Sequence, residues 1–114
     1  MKLVIDCSRP PSINALWRVG RGKIYRSRKY DSWIKEFGLC LIASKVRAGS
    51  VSSYFELEVT VSDKSRADLD NVAAKAILDA LQKFEIIAND KHCRKLSAEY
   101  GDAPAGCRIV INSC

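Results

Sequence analysis

The chain is poor in the residues on which several common chemistries depend. Its 114 residues include one histidine, His92, so a multi-histidine metal site and most histidine-based nucleophile triads are excluded. The five cysteines, Cys7, Cys40, Cys93, Cys107 and Cys114, are odd in number and never form a C-x-x-C pair. That argues against a disulfide framework and a thiolate zinc site; core or incidental thiols in a reducing cytoplasm are expected. No apolar run approaches the ~20 residues of a membrane span, so no membrane partner is expected. The segment Met1-Lys2-Leu3-Val4-Ile5-Asp6 turns charged too early for a secretory leader. Internal repeats and low-complexity segments are missing too, and with 47% hydrophobic and 28% charged residues the composition is that of one globular domain over residues 1–114.

Negative charge is scarce in one half. Residues 1–50 carry eleven Lys/Arg and three Asp/Glu, a net +8, whereas residues 51–114 carry eight and ten, a net −2. Arg18, Arg21, Lys23, Arg26, Arg28 and Lys29 lie in a stretch with no acid at all, with Trp17, Tyr25, Tyr30 and Trp33 within or beside it. Cations interleaved with aromatics suit phosphate neutralisation combined with base or sugar stacking. A solvated basic loop with its aromatics in the core has the same composition.

The periodicities predict about five strands and two helices, an α+β or mixed α/β layer. Lys2 to Cys7 reads as a first strand, ended by Arg9-Pro10-Pro11-Ser12 because proline cannot extend a ladder. Gly20-Arg21-Gly22 looks like the tip of a loop or hairpin, with Lys23 to Arg26 as a short strand. Ser27 is a candidate N-cap for a helix from Arg28 to about Val46. Its apolar positions Trp33, Ile34, Phe37, Cys40 and Leu41 are widened by Leu39, Ile42 and Val46, a stripe suited to deep burial or to a second subunit. Gly38 within it predicts a close helix–sheet or helix–helix contact. Tyr54 to Ser62 alternates with period two, Phe55, Leu57, Val59 and Val61 facing inward. A second helix is predicted over Asn71–Phe84, a short extended piece over Glu85–Ala88, and final strands over Cys93–Tyr100 and Cys107–Ile111.

Between the best strand and the second helix stands Asp68-Leu69-Asp70-Asn71. On extended backbone, residues two apart point the same way, so Asp68 and Asp70 can aim at one cation. Within a helix they would diverge by roughly 200°. Two close carboxylates repel, and a divalent cation relieves the repulsion while taking their oxygens as ligands. Asp70 as an N-cap and Asp68 as a loop acid is the alternative. Asp90 comes after the helix, where the chain can return beside the strand that delivers Asp68, or serves as a turn residue.

These acids and the order of elements around them resemble the RusA-type Holliday-junction resolvases, small phage-associated endodeoxyribonucleases. The resemblance runs through Arg9-Pro10-Pro11-Ser12-Ile13-Asn14, Trp17-Arg18, Arg66-Ala67-Asp68-Leu69-Asp70-Asn71, Lys75, Leu78-Asp79-Ala80-Leu81, Ile87-Ala88-Asn89-Asp90 and Ala103-Pro104-Ala105-Gly106-Cys107-Arg108. It implies that Asp68, Asp70 and Asp90 bind Mg²⁺, or Mn²⁺ in its place, and that they and Lys75 are catalytic. The family usually reads D-L-D-N-x-x-K; here Asp70-Asn71-Val72-Ala73-Ala74-Lys75 is one residue longer. An added helical residue rotates the remainder of the helix by about 100°, unless a looser first turn or a π-bulge absorbs it.

The expected activity is metal-dependent cutting of four-way or other branched DNA by paired symmetric nicks. Two symmetric cuts imply a homodimer. Carboxylate oxygens without His or Cys clusters suit Mg²⁺ or Mn²⁺ better than zinc. Arg18, Arg21, Lys23, Arg26, Arg28 and Lys29 are the expected DNA-binding cations, while Asn14 and Trp17 position DNA or shape the loop. His92 either touches the site or lies on a strand surface, and Asp79 packs or pairs structurally. Two other readings stay open: a branched-DNA-binding protein of the same fold with impaired catalysis, and a metal-dependent hydrolase of small phosphates.

Overall fold

The computed structural model describes residues 2–11, 16–62 and 74–113. Among these, six strands and two helices form an α+β fold: β1 (Lys2–Cys7), β2 (Trp17–Gly20), β3 (Lys23–Arg26), α1 (Arg28–Ala43), β4 (Phe55–Ser62), α2 (Ala74–Lys83), β5 (Cys93–Gly101) and β6 (Cys107–Ser113). Four of the strands make a mixed sheet in the order β1-β6-β4-β5, in which only β4 and β5 run parallel. The expected alternation holds along β4: Phe55, Leu57, Val59 and Val61 are buried and the residues between them are not. Ile5 and Cys7 of β1 and Cys107, Ile109 and Ile111 of β6 extend that apolar face. Trp33, Ile34, Phe37 and Leu41 of α1, with Ala76, Ile77, Ala80 and Leu81 of α2, complete the core.

Strand β2 departs from the sequence expectation of about five strands. It pairs antiparallel with β3 as a separate ribbon, and its residues are exposed or nearly so. A strand with no buried face has no reason to alternate, so periodicity could not reveal it. Its turn residues Arg21 (φ 51°) and Gly22 (φ 72°) both have positive φ, as a two-residue type I′ hairpin requires.

Helix α1 starts as expected, with the buried Ser27 Oγ accepting a hydrogen bond from the Tyr30 N–H at 3.1 Å. It ends at Ala43, three residues before the expected Val46. Lys45 turns left-handed (φ 58°), and the Val46 N–H reaches back to the Leu41 carbonyl at 3.0 Å, a Schellman closure without the usual glycine. Helix α2 ends the same way: Glu85 takes φ 60° and the Ile86 N–H bonds the Leu81 carbonyl at 2.9 Å. Glu85–Ala88 is therefore a capping turn and not an extended piece, and only Ile87 makes a bridge, with Val51. Residues 71–73 of the expected second helix lie outside the described residues.

The close contact expected at Gly38 is with Phe84, just past α2. A Cβ at position 38 would come within 2.9 Å of the Phe84 Cζ. The wide stripe on α1 is not buried throughout: Leu39 and Ile42 are exposed in the single chain. Among the described residues no helix is long and apolar enough to cross a membrane.

Ser27→Ala should remove the α1 cap from a buried site and lower unfolding free energy by about 1 kcal/mol. A shift of the urea midpoint at unchanged slope is the expected readout; an unchanged midpoint would dismiss the cap as a determinant of α1.

Candidate active site and nucleic-acid interface

Parallel strands cannot be joined by a tight turn, so the β4–β5 pairing forces a long crossover, of which α2 is the described helix. Lys75, Asp79 and Gln82 fall at i, i+4 and i+7 of α2 and so share one helical face. The chain then turns, Asn89 Oδ1 accepts from the Lys91 N–H at 2.9 Å, and a single 3₁₀ turn, Asp90–His92, leads into β5. The Asp90 N–H donates to Gln82 Oε1 at 3.2 Å, which sets the turn against α2.

Lys75 and Asp90 meet there. The Lys75 ammonium donates to Asp90 Oδ2 at 3.3 Å and stands 3.2 Å from Asp79 Oδ1. The other Asp79 oxygen, Oδ2, accepts from the Tyr30 hydroxyl at 3.4 Å. The group is graded in exposure: Tyr30 is buried, Asp79 and Asp90 are about one-third exposed, and Lys75 is open to solvent. Hydrogen bonds to Asp79, and then to Asp90, hold the Lys75 amine above the ordinary lysine range. Burial, followed by the Asp79 charge, pushes the Tyr30 phenol up to about 12. At neutral pH Tyr30 is thus a donor and Lys75 a cation. Ion pairs this exposed add little stability, so what this one achieves is orientation.

The other predicted site residues divide into three groups. Asp68, Asp70 and Asn14 lie outside the described residues. Trp17, Arg18, Arg21, Lys23 and Arg26 belong to the β2–β3 ribbon, and Arg28 and Lys29 to the first turn of α1. Arg26 and the Arg28–Lys29 pair line different clefts. Arg26 lines a cleft of about 320 Å³ with Trp17, Tyr30, Asp79 and Lys83. Arg28 and Lys29 line a second cleft, of about 560 Å³, with Arg9 and Pro10-Pro11. Trp17 packs edge-on against Tyr30, ring centres 5.8 Å apart, and so connects the ribbon to the Asp79 side of the site.

A structural pairing is expected of Asp79 from sequence, and its partners are Lys75 and Tyr30. The i, i+4 spacing from Lys75 to Asp79 is readable in the chain, but the Tyr30 contact, 49 positions away, is not. His92 lies in the 3₁₀ turn, not on a strand surface, with its ring edge-on to Tyr54 at 5.5 Å. The described cysteines Cys7, Cys40, Cys93 and Cys107 are free thiols, the first and last fully buried.

Asp90 supplies one hard oxygen donor of the type Mg²⁺ takes, and among the described residues it joins no cluster of three His, Cys, Asp or Glu side chains. The donor set implied by the resemblance is completed only by Asp68 and Asp70. Compared with known proteins, the chain matches no family model and no curated sequence.

Asp79→Asn should lower the Lys75 amine pKa toward the ordinary lysine value, and by more than Asp90→Asn does, because Asp79 is the stronger of its two partners. A ¹³Cε shift titration of Lys75 reads this directly. Equal pKa values in wild type and Asp79→Asn would mean that the pair does not form in solution.

Proposed function

We propose that this protein is a metal-dependent endodeoxyribonuclease that cuts branched DNA, the four-way junction above all, by paired symmetric nicks as a homodimer. One observation carries the reading. Lys75 and Asp90, both given catalytic roles by the resemblance and 15 positions apart in the chain, are in contact at 3.3 Å. They lie beside the Tyr30–Asp79 end of a cleft that also holds a tryptophan and two cations. Asp90, with Asp68 and Asp70, would hold Mg²⁺ or Mn²⁺. When bound, such an ion polarises a phosphoryl oxygen and lowers the pKa of water.

The chain's own residues then have definite tasks. Gln82 and Lys75 fix Asp90 from two directions, one through its backbone N–H and one through Oδ2. Asp79 holds the Lys75 ammonium at the edge of the site, where its remaining N–H donor can meet a phosphoryl oxygen as negative charge develops there. Arg26 and Lys83 line the adjoining cleft and offset the acids that would otherwise repel a DNA strand. The extra residue before Lys75, whose helical rotation would suit a catalytically impaired binding protein, does not keep the lysine from Asp90. That contact favours the nuclease over the impaired form.

Incubation of a synthetic four-way junction with Mg²⁺ tests this. Wild type should nick opposite strands, and Asp90→Asn and Asp70→Asn should each cut at least about 100-fold more slowly, with junction binding kept. Lys75→Ala should slow cutting without lowering binding by more than a few fold. Undiminished cutting by Asp70→Asn and Asp90→Asn would overturn the proposal, as would wild type that binds the junction and never nicks it.

A further inference from the structure

The ribbon presents two apolar side chains that the core does not use. Val19 and Ile24 are cross-strand partners in β2 and β3, 77% and 73% exposed. Their face of the ribbon also carries Trp17 and Arg26, the next partnered pair along it. That is the face Trp17 turns onto Tyr30, so Val19 and Ile24 stand about 7 Å, one strand period, along the ribbon from Trp17 and Arg26, which line the cleft with Asp79.

The ribbon is built to hold that pair in place. The type I′ turn at Arg21 and Gly22 matches the natural twist of the strands. On the opposite face Tyr25 covers Gly20, where a Cβ would lie 3.2 Å from the tyrosine Cε1. A preformed ribbon loses little entropy when it meets a partner. The ribbon itself carries charge of one sign, Arg18, Arg21, Lys23 and Arg26, with no acid between Trp17 and Arg26. At its base Arg26 stands 3.8 Å from Asp31 of α1, which leaves Arg18, Arg21 and Lys23 as the cations nearest the apolar pair along the strands. The complementary partner is anionic and offers flat apolar surface beside its charges, which describes a nucleic acid with its base faces accessible.

We infer that the β2–β3 ribbon is a branch-point wedge, with Val19 and Ile24 bearing on the base pair at the junction centre while Arg21 and Lys23 hold the flanking phosphates. Unstacking an internal duplex step costs a few kcal/mol, whereas pairs at a branch point lack a continuous stack on one side. The same apolar contact is therefore favourable at a junction and opposed in a plain duplex, so the wedge supplies structure selectivity. A bilayer fits less well, because Asp79 and Asp90 adjoin the same cleft and would be driven toward anionic headgroups. The inference rests on the branched-DNA reading and deepens it.

The test uses the full chain without divalent metal, so that no strand is cut, and a junction carrying 2-aminopurine at the branch point. Wild type should raise its fluorescence there and not in mid-arm. The double variant Val19→Thr with Ile24→Thr keeps β-branching and removes apolar surface. It should lose the rise and bind the junction roughly tenfold less well, with duplex binding unchanged. Arg21→Ala with Lys23→Ala should instead weaken both substrates and flatten the salt dependence. A threonine variant with wild-type fluorescence and wild-type junction preference overturns the wedge and leaves the nuclease reading standing. Wild type that binds no junction overturns that reading itself. Sedimentation showing that the threonine variant changes from dimer to monomer assigns the pair to an interface between copies and overturns the wedge. So does wild-type capture by phosphatidylserine vesicles that the threonine variant escapes.

Discussion

The parallel pairing of β4 with β5 governs where the candidate site can be. Antiparallel neighbours are joined by short turns, but a parallel pair obliges the chain to leave the end of one strand and re-enter at the start of the next. Here that obligation occupies everything between Ser62 and Cys93. Asp68, Asp70, Lys75, Asp79 and Asp90 all fall within this one crossover. The sheet need not contribute a reactive side chain; it sets the two ends between which the crossover must pass. Helix α2 then buries Ala76, Ile77, Ala80 and Leu81 on one face and presents Lys75, Asp79 and Gln82 elsewhere.

How legible each element is in the sequence depends on which residues have a buried face. Strand β4 is paired on both sides and covered by the helices, so its alternation is clear and each inward residue can be named from sequence. Ser27 is legible because a serine ahead of a helical stripe has one obvious use. Helix ends are not legible: Lys45 and Glu85 adopt the left-handed conformation without being glycine, and nothing in composition marks them. Strand β2 is hidden because water covers it. β5 lies at the sheet edge with Leu96 and Tyr100 exposed, and its flanking turns mark it more than any pattern does.

The site is legible to a different degree. Lys75 and Asp90 are pointed out by the resemblance, and their contact adds geometry to that likeness. Spacing alone would pair Lys75 with Asp79, one helical turn away, and stop there. Tyr30 escapes sequence reasoning as a site residue because its link to Asp79 is purely tertiary. The basic segment is continuous in sequence, and the fold sets it on two elements: the ribbon carries Arg18 to Arg26, and α1 carries Arg28 and Lys29, which line another cleft than Arg26 does. The capped turn at Ser27 makes the division, because it redirects the chain between two runs of cations that are continuous in sequence.

That division resolves a conflict in the charges. Lys75 between Asp79 and Asp90 leaves a net negative group, and Asp68 and Asp70 would deepen it. An acid-rich site repels the polyanion it is proposed to cut unless cations stand close enough to act within the Debye length, about 8 Å at physiological salt. The cations of one contiguous loop could not meet that condition and also reach distant phosphates. With Arg26 and Lys83 lining the Asp79 cleft and Arg28 and Lys29 lining another, local neutralisation and remote holding would fall to different residues in the proposed nuclease. The net charge of +6 is the remainder of a net +8 over residues 1–50 and a net −2 over residues 51–114, a division that would let the proposed nuclease attract DNA while keeping its carboxylates.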